Sequence, residues 1–263
     1  MKNSKDSKIS SFKKWMRENQ NSSNILIRKI INVLYLFVQF LYNIKAFLFN
    51  KTYRSIIFIK ILNKKSLHQT SSDTDYNRYP IIFSASQQYF NKKENIKILS
   101  FGCSTGEEVV TLRKYFPNAT IVGADINQHS LELCKKRNLD EKIHFIKSTT
   151  QDLQKFAPYD AIFCMAVFQR TPSLIYKKQI TDLKKIYPFE RFEKQVVELD
   201  QYIKEKGLFI IHCSQYYLKD TSIANKYEPF KDYNQDGYTW PIFDKNSKLI
   251  KQRTKRYCIF IKK

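Results

Sequence analysis

The stretch Ile98-Leu99-Ser100-Phe101-Gly102-Cys103-Ser104-Thr105-Gly106-Glu107-Glu108 runs from an apolar strand into a turn of small residues and then into an acidic helix start. Gly102 and Gly106 fall where a strand-to-helix turn demands positive φ or a close backbone approach. Cys103, Ser104 and Thr105 are small enough for a ligand to lie against the main chain. Further on, Thr120-Ile121-Val122-Gly123-Ala124-Asp125 reads as a second short strand ending in a carboxylate. An acid about 20 residues past such a turn is what a doubly wound fold sets against ribose hydroxyls.

The loop is as informative for what it excludes. A dinucleotide fingerprint G-x-G-x-x-G would need glycine where Ser104 and Glu107 stand, and a phosphate-binding P-loop would need Lys-Ser/Thr after its last glycine. A helix N-terminus attracts anions, but a pyrophosphate there would meet Glu107 and Glu108 and be repelled. The doublet suits a ligand with positive charge. S-adenosylmethionine, with its sulfonium and ammonium groups, is such a ligand; NAD and ATP are not.

From Ile96 onward strands and helices alternate, the pattern of a parallel sheet covered on both faces. Strands are expected at 96–101, 120–125, 142–147, 161–165 and 208–213, with helices at 106–116, 129–137 and 190–204. Segments 240–243 and 256–261 can supply the last two strands. In an open sheet of this kind the ligand lies at the carboxyl ends of the strands. Gly102, Cys103, Ser104 and Gly106 are therefore expected to cradle one end of the cofactor and Asp125 to accept from its ribose. Ile126 and Met165, which follow strand two and end strand four, are counted with them.

The runs FGCSTGEE from Phe101, GADIN from Gly123, YDAIFC from Tyr159 and GLFIIHCSQ from Gly207 resemble class I S-adenosylmethionine-dependent methyltransferases. The resemblance covers roughly Lys97 to Gln215. Within that superfamily the wording GCSTGEE is similar to the chemotaxis-receptor methyltransferases. The Arg-Asn pair those enzymes carry after their IFC strand is here Met165-Ala166, so their receptor-glutamate substrate is not carried over. The chain also resembles methyltransferase-domain proteins with an HQT … RYP segment before the core, here His68-Gln69-Thr70 and Arg78-Tyr79-Pro80.

The resemblance implies a Rossmann-like α/β fold with a seven-stranded, mostly parallel sheet and an antiparallel last strand. It also implies S-adenosyl-L-methionine as cofactor. Asp152, in the loop after strand three, would meet the adenine amine, with an ordinary solvated loop as the competing reading. Arg78 would reach the cofactor carboxylate or an anionic acceptor, unless it is a plain surface arginine. His212, at the end of strand five, is the candidate general base because its ordinary pKa lies near neutrality; a structural histidine is the competing reading. No metal is expected.

At 263 residues the chain has room for one sizeable α/β domain, placed at 66–263, and an appendage. Its five cysteines are odd in number, widely spaced and free of C-x-x-C, which points to a reducing compartment and away from structural zinc. Cys103 beside the cofactor could be a nucleophile, but no base is identifiable for it, and a small turn residue is the simpler reading.

The formal charge of +22 suggests an anionic partner, yet its distribution says more than its total. No acidic residue occurs between Asn19 and Ser72, so the excess is concentrated before the core. Residues 1–24 read as a polar, disordered tail and 25–65 as an apolar and basic extension of two helices parted near Asn50-Lys51-Thr52. Within it, 30–49 nears the roughly 20 residues of a membrane span, but Asn32, Gln39, Asn43 and Lys45 interrupt it. Peripheral contact of residues 25–63 with a membrane, packing on the core or on a second copy, and a true span all remain open. A cytoplasmic location, with contact at the inner membrane surface, follows from this reading.

The expected activity is methyl transfer to an oxygen or nitrogen of a small molecule or of a glycan or lipid-linked substrate. Methylation of RNA or protein is the alternative, supported by the net charge, and nucleic acid is not favoured as a partner. A catalytically silent scaffold with the cofactor fold is a third reading.

Overall fold

The computed structural model describes residues 11, 14, 15, 18, 25–63, 66–69, 71, 73–91 and 93–263. The tail expected over 1–24 lies almost wholly outside them. The chain divides into two compact units, Met1–Arg54 and Ser55–Lys263.

The first unit is built on helix α1 (Ile25–Phe49), which stops at Asn50. Asn50 caps the start of α2 (Lys51–Leu62), its Oδ1 accepting from the Tyr53 amide at 3.0 Å, the usual way a side-chain oxygen satisfies an orphan donor of a first turn. Arg54 in turn donates to the Phe47 and Leu48 carbonyls, which the end of α1 leaves unpaired. The helix break therefore falls where the sequence places it.

The second unit is a seven-stranded sheet with helices on both faces. In chain order its elements are α3 (Pro80–Phe90), β1 (Lys97–Phe101), α4 (Glu107–Tyr115), β2 (Thr120–Asp125), α5 (Gln128–Lys135), β3 (Ile143–Lys147), α6 (Thr150–Phe156), β4 (Tyr159–Met165), α7 (Pro172–Lys177), α8 (Phe189–Asp200), β5 (Ile203–His212), β6 (Tyr227–Pro229) and β7 (Ile259–Lys262). The strand order is β3-β2-β1-β4-β5-β7-β6. Strands β1 to β5 pair in parallel, and β7 lies antiparallel between β5 and β6. This is the Rossmann-like arrangement expected of a class I methyltransferase.

Strand side chains alternate between two buried layers, as a two-residue period dictates. Leu99, Val122, Ile162 and Phe209 join Phe192, Val196 and Leu199 of α8 in one layer. Ile98, Ile121, Phe163 and Ile210 join Phe83 of α3, Val109 and Leu112 of α4, and Leu131 of α5 in the other. The order of strands reverses between β1 and β4, so a crevice opens at their carboxyl ends.

The expected strand at 240–243 is not formed; the sixth strand is Tyr227–Pro229. Pro241 has no amide hydrogen for a ladder, and Arg253 takes the carbonyls of Tyr238, Thr239 and Trp240 at 2.7–2.8 Å. Phe243 keeps one isolated bridge, to Leu249. The helix expected to run to Lys204 ends at Asp200, whose buried carboxylate is bound by Lys226 and the Tyr227 hydroxyl. Beyond it β5 starts at Ile203.

Candidate active site

Three alternate residues of the turn after β1 have positive φ: Gly102 at +78°, Ser104 at +49° and Gly106 at +92°. The Gly102 and Cys103 amides donate to the Ala124 carbonyl at 2.7 and 3.0 Å, which ties the turn to the end of β2. The Ser104 amide donates to Asp125 Oδ2 at 2.8 Å, and the Asn127 amide to Oδ1 at 2.7 Å. Each carboxylate oxygen thus receives a main-chain donor, and the Ile126 amide adds to them. Burial pushes the Asp125 carboxyl upward, against the amide bonds that favour its charged form.

A Cβ on Gly102 would sit 2.5 Å from Val167 Cγ2 and 3.4 Å from Cγ1. Gly102→Ala should therefore strain both the backbone and the packing, lowering stability by about 1–3 kcal/mol. Thermal denaturation checks this: adding Val167→Ala should restore the packing part of the loss, while the part due to φ remains.

The two glutamates have different fates. Glu107 pairs with Arg137 and accepts from Thr105 Oγ1 at 2.7 Å, so its charge is spent on holding the turn. Arg137 also binds the Thr105 carbonyl and the Tyr76 hydroxyl. Glu108 instead lines the crevice. Its Oε1 accepts from Ser100 Oγ at 2.8 Å, and burial pushes its carboxyl up to about 8, opposed by that bond and by the nearby Arg78 charge. Near neutrality neither glutamate therefore presents a free negative charge to the crevice, so the repulsion of a pyrophosphate expected from the doublet is not what selects the ligand; Glu108 acts as a buried acid that can pair with an ammonium.

The crevice is large, about 1340 Å³, and lies within the second unit. Gly102, Cys103, Ser104, Asp125, Ile126, Met165 and Arg78 all line it. Gly106 does not; a Cβ there would meet Cys134 Sγ at 3.1 Å, so its role is to pack the turn against α5. Cys103 is buried, and its thiol is pushed well above its ordinary pKa by a bond with Cys134 and by burial. It is a neutral small residue of the turn rather than a nucleophile.

Two further expected residues are not brought to the crevice. Asp152 lies in the first turn of α6, where its carboxylate accepts from Thr149 Oγ1 at 2.8 Å and from Lys155 at 3.2 Å. An acid so placed serves the helix N-terminus. The crevice wall there is formed by Ser148, Thr149 and Thr150. His212 opens into a separate cavity of about 390 Å³, with Arg78, Tyr79 and Asp232 among its walls. Its ring packs edge-on against Tyr79 at 4.8 Å, and Nδ1 lies 3.1 Å from Cys213 Sγ. Burial first, then the Arg256 and Arg78 charges, lower its pKa to about 4.

Other groups reach the crevice unforeseen. His68 and Gln69 lie over the end of β4, where the Gln69 amide approaches the Ala166 carbonyl at 3.5 Å. His68 is buried and shares a 2.7 Å hydrogen bond with the Tyr187 hydroxyl. Burial, together with the Arg191 and Arg170 charges, lowers its pKa to about 3, against a bond with Gln195. From α8, Arg191, Lys194, Gln195 and Glu198 form a further wall. Their spacing of three and four residues was visible, but it is also the spacing of an ordinary solvent face.

The donor set fits S-adenosylmethionine. The turn brings only the small residues Gly102, Cys103 and Ser104 to the crevice, Asp125 presents two oriented acceptor oxygens for vicinal hydroxyls, and Glu108 presents a buried acid for an ammonium.

The methyltransferase domain family model matches residues 92–253, and the chain belongs to that family. The family is one of methyltransferase domains, whose cofactor is S-adenosylmethionine. A malonyl-[acyl-carrier protein] O-methyltransferase of Priestia megaterium (strain DSM 319 / IMG 1521) is 33% identical over 109 residues, 41% of this chain and 37% of that protein. A second protein of that description, from Bacillus anthracis, is 28% identical over 88 residues, 34% of this chain and 33% of that protein. The match thus spans about a third of the length of these curated relatives. Among solved structures, the plantazolicin methyltransferase BpumL in complex with SAH is similar at 17% identity, over 64% of this chain and 56% of that one, with a TM-score of 0.37.

The cofactor supplies a methyl group on a sulfonium. The chain's part is to bind it, to set an acceptor in line with that methyl, and to keep water away.

Proposed function

We propose that the acceptor is a negatively charged group, a carboxylate oxygen of a small molecule or of a glycan or lipid-linked substrate. The observation that carries this reading is the cationic wall of the crevice. Arg191 and Lys194 line it, Arg170 stands behind, and neither guanidinium pairs with an acid among the described residues. Arg170 and Arg191 both donate to the Leu67 carbonyl, at 3.2 and 3.3 Å, which holds two like charges close together. Burial and the Arg191 charge push the Arg170 pKa down. An anion seated there relieves this repulsion.

The chemistry agrees. A hydroxyl or ammonium acceptor needs a base to remove a proton, whereas a carboxylate is already ionised at neutral pH. Neither His212, outside the crevice, nor His68, held neutral and bonded to Tyr187, is suited to that task. The names of the curated relatives, as O-methyltransferases of a malonyl carrier protein, point the same way.

Incubation with methyl-labelled cofactor and a lysate divided into lipid, glycan, RNA and protein fractions tests this. The expected label is released as methanol by mild alkali, the behaviour of a methyl ester. Alkali-stable label in RNA or protein would contradict the proposal. With an acceptor in hand, Arg191→Ala should raise KM about 10- to 100-fold, the worth of one charge-assisted contact, and leave cofactor affinity unchanged.

A further inference from the structure

We propose that α1 crosses a lipid bilayer and anchors the chain to it. Within α1, Arg28–Phe49 is an apolar stretch of 22 residues, which at a rise of 1.5 Å per residue is about 33 Å long, against a hydrocarbon core of about 30 Å.

The side chains are arranged for lipid. Leu36, Val33, Phe37 and Phe49 are 66%, 65%, 56% and 79% exposed, and at 100° per residue they are spread over about 220° of the circumference. A helix that packs on a core shows a far narrower apolar stripe. The remaining sector holds Arg28, Asn32, Gln39 and Asn43, and in its interior these are uncharged. Gln39 Nε2 donates to Asn43 Oδ1 at 3.1 Å, so part of that polarity is satisfied along the helix itself.

The positions of the charges separate a span from a helix lying flat in the interface. No charge occurs between Lys29 and Lys45. Lys45 projects on the side opposite the polar stripe, so a flat helix that kept the stripe in water would drive Lys45 into the acyl chains. In a span Lys45 sits close to one end, where its stem reaches the headgroups. Arg28 and Lys29 stand at one end and Lys51 and Arg54 beyond the other, and no acid occurs anywhere from Asn19 to Ser72. Whichever flank faces the cytoplasmic leaflet thus meets its anionic headgroups with basic residues.

Fractionation of cells making the full chain tests the span. The chain should sediment with membranes, resist both high salt and alkaline carbonate, dissolve in detergent, and keep its full mass. The double variant Val33→Arg/Phe37→Arg should move into the soluble fraction by about tenfold or more, each arginine being costly at mid-membrane, while still binding S-adenosylmethionine in calorimetry. Release of the wild type by salt or carbonate would overturn the span in favour of surface attachment. A soluble wild type whose self-association the double variant abolishes would show a second copy covering the helix. A chain shortened by cleavage after α1 would overturn anchoring.

Discussion

Asp125→Ala should weaken S-adenosylmethionine binding by about 100-fold, the loss of two charge-assisted hydrogen bonds of about 1.5 kcal/mol each. The reason is the way the residue is held. With the Ser104 amide on one oxygen and the Asn127 amide on the other, the carboxylate is fixed in orientation before any ligand arrives. The same arrangement makes Asp125→Asn a poor rescue. Whichever way the amide turns, its NH2 group meets a main-chain N–H donor, so the turn should loosen as well. Calorimetric titration reads this directly, and an Asp125→Ala protein with affinity within about twofold of the wild type would remove Asp125 from the site.

Glu108→Gln should change how binding and stability depend on pH. Burial holds the Glu108 carboxyl at about 8, above its ordinary 4.5, so in the free protein near neutrality it is largely protonated. The ionised form is the one that pairs with an ammonium. Affinity should therefore rise as the pH climbs toward about 8 and fall again as the ligand's own ammonium loses its proton, with Glu108→Gln lacking the rising limb and at least about tenfold weaker at the optimum. Stability of the ligand-free protein runs the other way. A folded pKa above the unfolded one means that the native state binds more protons between about 4.5 and 8, so Glu108's contribution is full below 4.5 and is lost as the pH rises toward 8. Glu108→Gln removes that slope and should make the ligand-free protein more stable at pH 8, by a few kcal/mol. An unchanged pH profile of binding would contradict the assignment.

The order of elements from β1 to β5 was legible because β1, β2, β4 and the second half of β5 are buried on both faces and so read as continuous apolar runs between turn residues, while β3, at the sheet edge, is partly buried and keeps enough apolar residues to be read. The bounds of β2 agree residue for residue. The final strands were obscured because 240–243 is apolar like a strand, while its carbonyls are taken by Arg253, a contact 13 to 15 residues away that no local pattern reveals.

The cofactor turn was legible because its chemistry is contained in one contiguous segment. The split between Glu107 and Glu108 was not, since it depends on Arg137, which arrives from the end of α5. His212 falls at the end of β5 as expected and Asp152 in the first turn of α6 rather than in a loop, yet neither position in the sequence tells which cavity a side chain enters. For Asp152 a short helix supplies local partners. For His212 the Tyr79 ring packs against it, and the residue opens on the smaller cavity. The cationic wall came from α8, whose polar face looks the same in sequence whether it meets solvent or lines a crevice.

The most direct measurement is a calorimetric titration of the wild type, Asp125→Ala and Arg191→Ala with S-adenosylmethionine. The wild type and Arg191→Ala should bind one equivalent with equal affinity and Asp125→Ala should not. A wild type without heat of binding, or a loss confined to Arg191→Ala, would contradict the placing of the methyl donor at the turn of Gly102 and the acceptor at the wall of Arg191.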